Sequence, residues 1–184
     1  MRYLLLALVL LNPLVCVAQQ KLLPAQSAIT FVSKQMGVPV EGHFKKFDAQ
    51  IKFDPKKLST SKITFDIDLT SASMGSPEAE AELRNPGWFN SLKIPQAHFA
   101  STAFKNLGAG KFEITGKLSI KGVSKDLVVP ATLTQTGSNT TAVGTFVIKR
   151  IDFKIGEGEW NDTSIVANDV QVKFKLGLTG VASL

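Results

Sequence analysis

Hydrophobic and polar residues alternate along most of this chain, and a period of two is typical of half-buried β-strands. The clearest stretch runs from Ile63 to Leu69, where polar residues stand at every second position. Turn-forming Gly, Pro, Asn and Ser residues separate this stretch from others of the same kind. The pattern predicts eight strands, within residues 29–31, 47–53, 63–69, 97–103, 112–120, 127–133, 142–148 and 170–178.

One segment breaks the alternation. Ser76 is a suitable N-cap, Pro77 suits the first helical position, and glutamates favour the first turn. The helix has to end before Asn85-Pro86-Gly87. We therefore predict one short helix at about residues 77–85, inserted in an all-β, eight-stranded antiparallel barrel or a related closed sheet.

Alternation alone does not say which face of the barrel is apolar. An outer-membrane barrel turns its apolar face to the lipid, and it places Tyr and Trp at both membrane interfaces. This chain has 12 Phe, only 2 Trp, and a single Tyr at position 3. Phe belongs in a dry interior, so we expect the apolar face to point inward, as in a soluble barrel.

The inward face predicted from strand parity is rich in Phe. It is either a packed core or the wall of a hollow, since small barrels of eight strands do both. A hollow with this wall suits a chain lipid, a quinone or an isoprenoid, and does not suit a sugar or a nucleotide. The predicted wall consists of Phe31, Phe47, Phe53, Phe65, Ile67, Phe99, Phe112, Leu118, Phe146, Ile148 and Phe174.

The first eighteen residues have the pattern of a secretory signal peptide. A basic start is followed by the apolar run Leu4 to Leu11, and Ala18 is a small residue before two glutamines. We expect cleavage after Ala18, which leaves residues 19–184 as a single barrel domain with no stable membrane insertion. An alternative is a lipoprotein signal with Cys16 as the lipidated residue, but Val15 stands where such signals need a small side chain.

The amino-acid composition excludes several classes of function. Cys16 is the only cysteine, so the mature chain has no disulfide, no catalytic thiol and no cysteine-ligated zinc. The net charge of +6 becomes +5 without Arg2, and only Arg84 and Arg150 remain as arginines. Scattered lysines describe a solvated basic surface, so we expect no nucleic-acid partner.

Few residues are suited to catalysis or to metal binding. His43 and His98 are the only histidines, and no Gly-x-Ser-x-Gly motif is present. His98 is on the polar side of its strand, and His43 with Glu41 supplies too few ligands for a metal. We therefore predict no enzyme activity, no metal and no catalytic residues.

Two charges continue an inward-facing strand. Arg150 and Asp152 follow the parity of the predicted strand before them, so both project to the same side. They form either an ion pair that closes one end of the barrel or a polar rim for a ligand head group. Trp88, Phe89 and Trp160 complete the residues predicted at the mouth or its closure.

Several motifs, taken in order, resemble the YceI-like proteins. They cover residues from about Ala25 to Gly180, and their order and spacing are more specific than any one of them. The motifs are Gly42-x-Phe44-x-x-Phe47, Ile51-x-Phe53-Asp54-Pro55, Trp88-Phe89, Pro95-x-Ala97-x-Phe99-x-Ser101, Gly116-x-Leu118-x-Ile120-Lys121-Gly122 and Arg150-x-Asp152-Phe153-x-Ile155-Gly156 followed by Trp160.

The resemblance implies a secreted, usually periplasmic, lipocalin-like antiparallel barrel without catalytic residues or a metal. Its expected partner is an isoprenoid amphiphile, either a polyprenyl lipid or an isoprenoid quinone, held in an apolar cavity. Two alternatives stay open: a ligand-free structural or stress-protective protein, and an enzyme acting on a lipid with help from His43 or from Arg150 and Asp152. The sequence leaves the oligomeric state open, a dimer included.

Overall fold

A computed structural model describes residues 19–184, which form ten strands and one helix. The predicted signal peptide, residues 1–18, lies outside the described residues. Four short 3-10 turns, at Leu58–Thr60, Leu69–Ser71, Arg150–Phe153 and Gly158–Asn161, complete the secondary structure. The elements are β1 (Lys21–Gln35), β2 (Val38–Phe44), β3 (Phe47–Lys52), β4 (Lys62–Asp68), β5 (Ala72–Ser73), α1 (Pro77–Arg84), β6 (Gln96–Gly108), β7 (Lys111–Ile120), β8 (Val123–Thr136), β9 (Asn139–Lys149) and β10 (Asp169–Thr179).

All ten strands belong to one antiparallel sheet in the order β3-β4-β6-β7-β8-β9-β10-β1-β2-β5. The sheet curls into a half-barrel, with β3 brought beside β1. Within residues 19–184 no backbone ladder joins β1 to β3. The prediction of an all-β antiparallel fold is confirmed, whereas the prediction of a closed, eight-stranded barrel is wrong in strand number and in closure.

The strand count is ten because the structure contains β2 and β5, which the alternation does not predict, and the sheet shows two local irregularities. Between β2 and β3 the chain bends at Lys45 and Lys46, and β2 pairs with β1 while β3 pairs with β4. The register of β1 against β10 shifts between Leu23 and Ala28, a segment containing Pro24, which has no N–H to donate. The ladder between β1 and β10 is therefore interrupted at this segment.

Helix α1 begins and ends where the sequence predicts. The Ser76 side chain accepts a hydrogen bond from the Ala79 N–H, and Pro77 occupies the first turn. Leu83 is the buried residue of the helix, and it anchors α1 on the core. No helix in the described part of the chain is long and apolar enough to cross a membrane.

The core consists of two clusters at opposite ends of the strands. Along β7, Phe112 belongs to one cluster, whereas Leu118 and Ile120 belong to the other. The first cluster, here called the helix-end cluster, lies beneath α1 and includes Phe31, Leu83, Phe89, Phe153 and Ile155. The second, the far-end cluster, includes Leu22, Phe53, Phe112, Leu133, Leu178 and Val181.

Candidate ligand cavity

An apolar cavity of about 140 Å³ lies inside the half-barrel, and residues of both core clusters contribute to its wall. Every lining residue is apolar, so the side chains of the wall offer no charge and no N–H or O–H group. The wall consists of Ile29, Ile51, Phe53, Ile63, Phe65, Ile67, Phe99, Phe112, Ile114, Leu118, Leu127, Val129, Ala131, Leu133, Ala142, Phe146, Val172, Phe174, Leu176 and Leu178.

Eight of the eleven residues predicted for the wall line this cavity. They are Phe53, Phe65, Ile67, Phe99, Phe112, Leu118, Phe146 and Phe174. Their role in binding a ligand stays a prediction.

The structure corrects the other three predicted wall residues, which lie outside the lining. Phe31 is buried in the helix-end cluster, 5.4 Å from Phe44 between ring centroids. Ile148, two residues after the wall residue Phe146, packs against the same cluster. Phe47 stacks on Phe65 at 5.8 Å between ring centroids and packs against the far-end cluster, so it supports a wall residue from the same inner face of the sheet.

The wall also contains twelve residues that the prediction did not name. The signal for them was present, because they continue the same alternation in the strands. The prediction weighted Phe over the aliphatic residues that share its face. These twelve are Ile29, Ile51, Ile63, Ile114, Leu127, Val129, Ala131, Leu133, Ala142, Val172, Leu176 and Leu178.

Two glycines allow wall phenylalanines to lie across the neighbouring strand. The ring of Phe174 lies over Gly144 of β9, and a Cβ at that position would collide with the ring. The ring of Phe99 lies over Gly116 of β7 in the same manner. Because each ring occupies the space of a missing side chain, it takes up less of the interior.

At the helix end, Arg150 is fully buried without an acidic partner. Its side chain is 1% exposed, and it donates hydrogen bonds to four backbone carbonyls. These acceptors are the oxygens of Ala167 at 3.1 Å, Ile155 at 2.9 Å, Gly156 at 3.1 Å and Val166 at 2.7 Å. Burial lowers the pKa of the Arg150 guanidinium. Arg150 thus ties the loop after β9 to the segment before β10.

The prediction that Arg150 and Asp152 project to the same side is wrong, and the ion pair offered as one of two alternatives is not formed. β9 ends at Lys149, and Arg150–Phe153 forms a 3-10 turn. Residues two apart share a side only in a strand, and the turn therefore separates the two side chains. Arg150 points into the protein, while Asp152 is exposed.

The remaining predicted mouth residues also belong to the helix end. The rings of Trp88 and Trp160 are 5.6 Å apart between centroids, and the Trp88 indole N–H donates to Glu82 Oε1 at 3.0 Å. Phe89 is buried in the helix-end cluster. None of the five predicted mouth residues lines the cavity, and this end of the half-barrel is plugged.

Both histidines lie outside the cavity. The His98 Nδ1 and Asp66 Oδ1 atoms are 2.7 Å apart on the outer face, and His43 is exposed on β2. Within residues 19–184 no group of three or more His, Cys, Asp or Glu residues is arranged to hold a metal ion. What the cavity wall can do chemically is bind an apolar group by contact.

Known proteins are similar to this chain in sequence and in fold. The UPF0312 protein of Shewanella denitrificans is 34% identical over 108 residues, which cover 58% of this chain and 56% of that protein. The chain therefore matches about half the length of that relative. Burkholderia cenocepacia BcnA, a crystal structure, is 44% identical with a TM-score of 0.82, over 85% of this chain and 98% of BcnA.

A second solved structure also has a fold similar to that of this chain. It is a polyisoprenoid binding domain from Saccharophagus degradans implicated in plant cell wall breakdown, with 17% identity and a TM-score of 0.69. It covers 88% of this chain and 98% of that domain, and at this identity the likeness concerns the fold alone. The sequence profile of the YceI-like domain matches residues 21–178, nearly all of the described chain. The protein accordingly belongs to the YceI-like family.

Proposed function

We propose that this protein is a secreted, periplasmic and non-catalytic binding protein, which holds the chain of an isoprenoid amphiphile in its cavity. The observation that carries the proposal is the wall of the cavity, in which all twenty lining residues are apolar. Such a wall retains a ligand through burial of apolar surface, about 25 cal/mol per Å². Any polar head group stays outside the cavity, because no wall side chain can pair with it.

Two further observations support an isoprenoid chain. The wall mixes branched aliphatic side chains with rings such as Phe65 and Phe146, and this mixture suits a methyl-branched chain. The polyisoprenoid binding domain of Saccharophagus degradans shares the fold. A polyprenyl lipid and an isoprenoid quinone both carry such a chain, and both are candidates.

The size of the cavity sets a condition on this function. An engineered apolar cavity of about 150 Å³ in another protein binds one benzene molecule. The cavity here, at about 140 Å³, therefore holds about one five-carbon unit without rearrangement. A longer chain requires wall side chains to rotate, and Phe65 and Phe146 are only half-buried. The same size favours a second candidate, a structural protein that binds no ligand.

Native mass spectrometry separates the two candidates. The protein is purified without detergent, its bound material is extracted with organic solvent, and the ligand-free protein is then incubated with geranylgeraniol. We expect an apolar adduct of the purified protein, and a one-to-one complex with geranylgeraniol.

A matched pair of variants then locates the ligand. Ala131→Leu fills the cavity from a buried position on β8, whereas Thr134→Leu adds the same side chain at an exposed position of the same strand. We expect Ala131→Leu to lose the complex while its Tm stays within a few degrees, and Thr134→Leu to keep the complex. A protein that carries no adduct and takes up no geranylgeraniol would support the structural candidate.

A further inference from the structure

Strands β8 and β9 are neighbours in the sheet, but they are bonded along only part of their length. Their ladder runs from Thr136↔Asn139 to Thr132↔Val143 and stops there. β8 continues for residues 123–131 and β9 for residues 144–149, with no ladder between them. The pairs on either side, β7 with β8 and β9 with β10, extend over these residues. The wall is therefore split between β8 and β9, and we name this gap the β8–β9 window.

The sequence explains where the window begins. Pro130 has no N–H, so it cannot donate a ladder hydrogen bond to β9. Gly144 faces it, and a Cβ at Gly144 would collide with the Pro130 carbonyl oxygen. The two backbones thus approach closely at this point, and no ladder pairs join β8 and β9 beyond it. At the other end, β8 contacts the 3-10 turn Arg150–Phe153, which closes the window.

The window opens on the cavity. Leu127 and Val129 of β8 and Phe146 of β9 line the cavity on its two sides. On the outside, the window is bordered by Val128 and Val147, which are 51% and 50% exposed. Exposed apolar residues at the edges of a gap suit the passage of an apolar chain, since they keep it in apolar contact on the way in.

The gap between β1 and β3 is the competing entrance. It is held at one end by two hydrogen bonds between the Gln20 side chain and the Phe53 backbone. At the other end, the gap is closed by the chain itself, because β2 pairs with β1 and runs through Lys45 and Lys46 directly into β3. The surface groove along this gap shares only Ile29 with the cavity.

By contrast, a groove of about 400 Å³ on the outer face at the start of the β8–β9 window shares more of the cavity's lining residues. Three residues, Phe112, Ala131 and Phe174, line both spaces. The groove and the cavity are therefore separated there by a shared set of residues.

We propose that the β8–β9 window is the entrance through which the chain of the amphiphile passes into and out of the cavity. This inference rests on the proposed function and adds the route of exchange to it. An obstacle in an entrance slows entry and exit by the same factor, so it changes both rate constants and leaves Kd unchanged.

Stopped-flow fluorescence with all-trans-retinol, an isoprenoid alcohol, tests the route. Residues 19–184, which remain after the expected cleavage, contain no cysteine, so each introduced cysteine is the only thiol that reacts. Single cysteines are then introduced by Val147→Cys and Val128→Cys at the window, by Lys46→Cys at the β1–β3 gap, and by Val38→Cys. Val38 is 63% exposed on β2 and serves as the remote control. Each variant is measured before and after reaction with a polyethylene-glycol maleimide, and its Tm is recorded.

We expect the labelled window variants to show association and dissociation rate constants lowered together by about tenfold, with Kd and Tm unchanged. Labels at Lys46→Cys and Val38→Cys are expected to leave both rate constants unchanged. Slow exchange caused by the Lys46→Cys label alone, or unchanged exchange in all labelled variants, would overturn the inference while leaving the proposed function in place. Failure of every unlabelled variant to bind retinol would overturn the proposed function itself.

Discussion

The Gln20 side-chain amide takes the place of a missing strand partner for Phe53. Its Nε2 donates to the Phe53 carbonyl oxygen and its Oε1 accepts from the Phe53 N–H, each at 2.7 Å. These two bonds reproduce the two N–H···O=C hydrogen bonds that opposite residues form in an antiparallel ladder. They therefore join the start of β1 to the end of β3 where the sheet itself leaves a gap.

Gln20→Ala is expected to destabilise the fold. It leaves a buried N–H and a buried carbonyl of Phe53 without partners, at a cost of about 1–3 kcal/mol. For a protein of this size that corresponds to a fall in Tm of about 2–12 °C. Gln50→Ala, at an exposed position of β3, is the matched control. Equal Tm values for the two variants would mean that the Gln20 bridge contributes nothing to closure.

Arg150→Met is expected to be the more damaging change. It removes the donors from four carbonyls of the loop before β10, and a buried acceptor left unpaired costs about 1–3 kcal/mol. We expect a loss of at least about 3 kcal/mol in the free energy of unfolding, measured by urea denaturation. Arg84→Met is the control, since Arg84 is 40% exposed and makes only a 3.8 Å ion pair. A loss below about 1 kcal/mol for Arg150→Met would contradict a structural role for this guanidinium.

The sequence was sufficient to predict the inward face but not the limits of the cavity. Parity placed Phe65 and Phe99 on the wall, because alternation within a strand fixes the side on which a residue lies. It carries no information on where the core closes over the ends of the strands. Phe31 and Ile148 are inward-facing for that reason and yet lie outside the cavity.

Parity also fails where a strand ends. The prediction for Arg150 assumed that β9 continues, whereas the 3-10 turn starts at that residue. β2 was missed because Pro39 and Gly42 interrupt its pattern, and both are disfavoured in regular strands. Gly42 is nevertheless required there, since a Cβ would collide with the Phe31 ring. The contact between Gly42 and the Phe31 ring joins two neighbouring strands, and only the three-dimensional structure shows it.

Glu80 provides a pH dependence of stability. Its carboxylate accepts a hydrogen bond from the Ser73 hydroxyl, and it lies 3.7 Å from the Lys45 ammonium and 3.8 Å from Arg84. The bond from Ser73, followed by the two cations, lowers the pKa of Glu80 below its ordinary value of 4.5. The stabilising effect is therefore complete above about pH 4.5, and it is lost as pH falls through the lowered pKa.

Glu80→Gln tests this effect. We expect the variant to have a lower Tm than the parent at pH 7, and the difference to shrink as the pH is lowered from 5 to 3. Glu159→Gln, which changes an exposed carboxylate, is expected to match the parent at each pH. A difference for Glu80→Gln that stays constant across this range would show that the ionised carboxylate is not the source of the stability.

Gly144→Ala links the packing of the wall to the capacity of the cavity. The added methyl group collides with the Phe174 ring and with the Pro130 carbonyl oxygen, and the backbone atom cannot give way as a side chain does. We expect a loss of about 1–3 kcal/mol in the free energy of unfolding. The Phe174 ring must also move, and the side open to it is the cavity that it lines.

Gly87→Ala is the matched control, because a Cβ there meets only the Glu157 carbonyl oxygen at 3.8 Å, an ordinary contact. Titration with retinol measures whether the displaced Phe174 ring lowers the affinity of the cavity for a ligand. We expect Gly144→Ala to bind retinol at least about tenfold more weakly, a difference of about 1.4 kcal/mol, and Gly87→Ala to bind it as the parent does. Weaker retinol binding by Gly144→Ala at an unchanged Tm would still mean that the Phe174 ring has moved into the cavity. A lower Tm with unchanged retinol affinity would instead mean that Phe174 moves without entering the ligand space, and that the glycine serves the backbone contact alone.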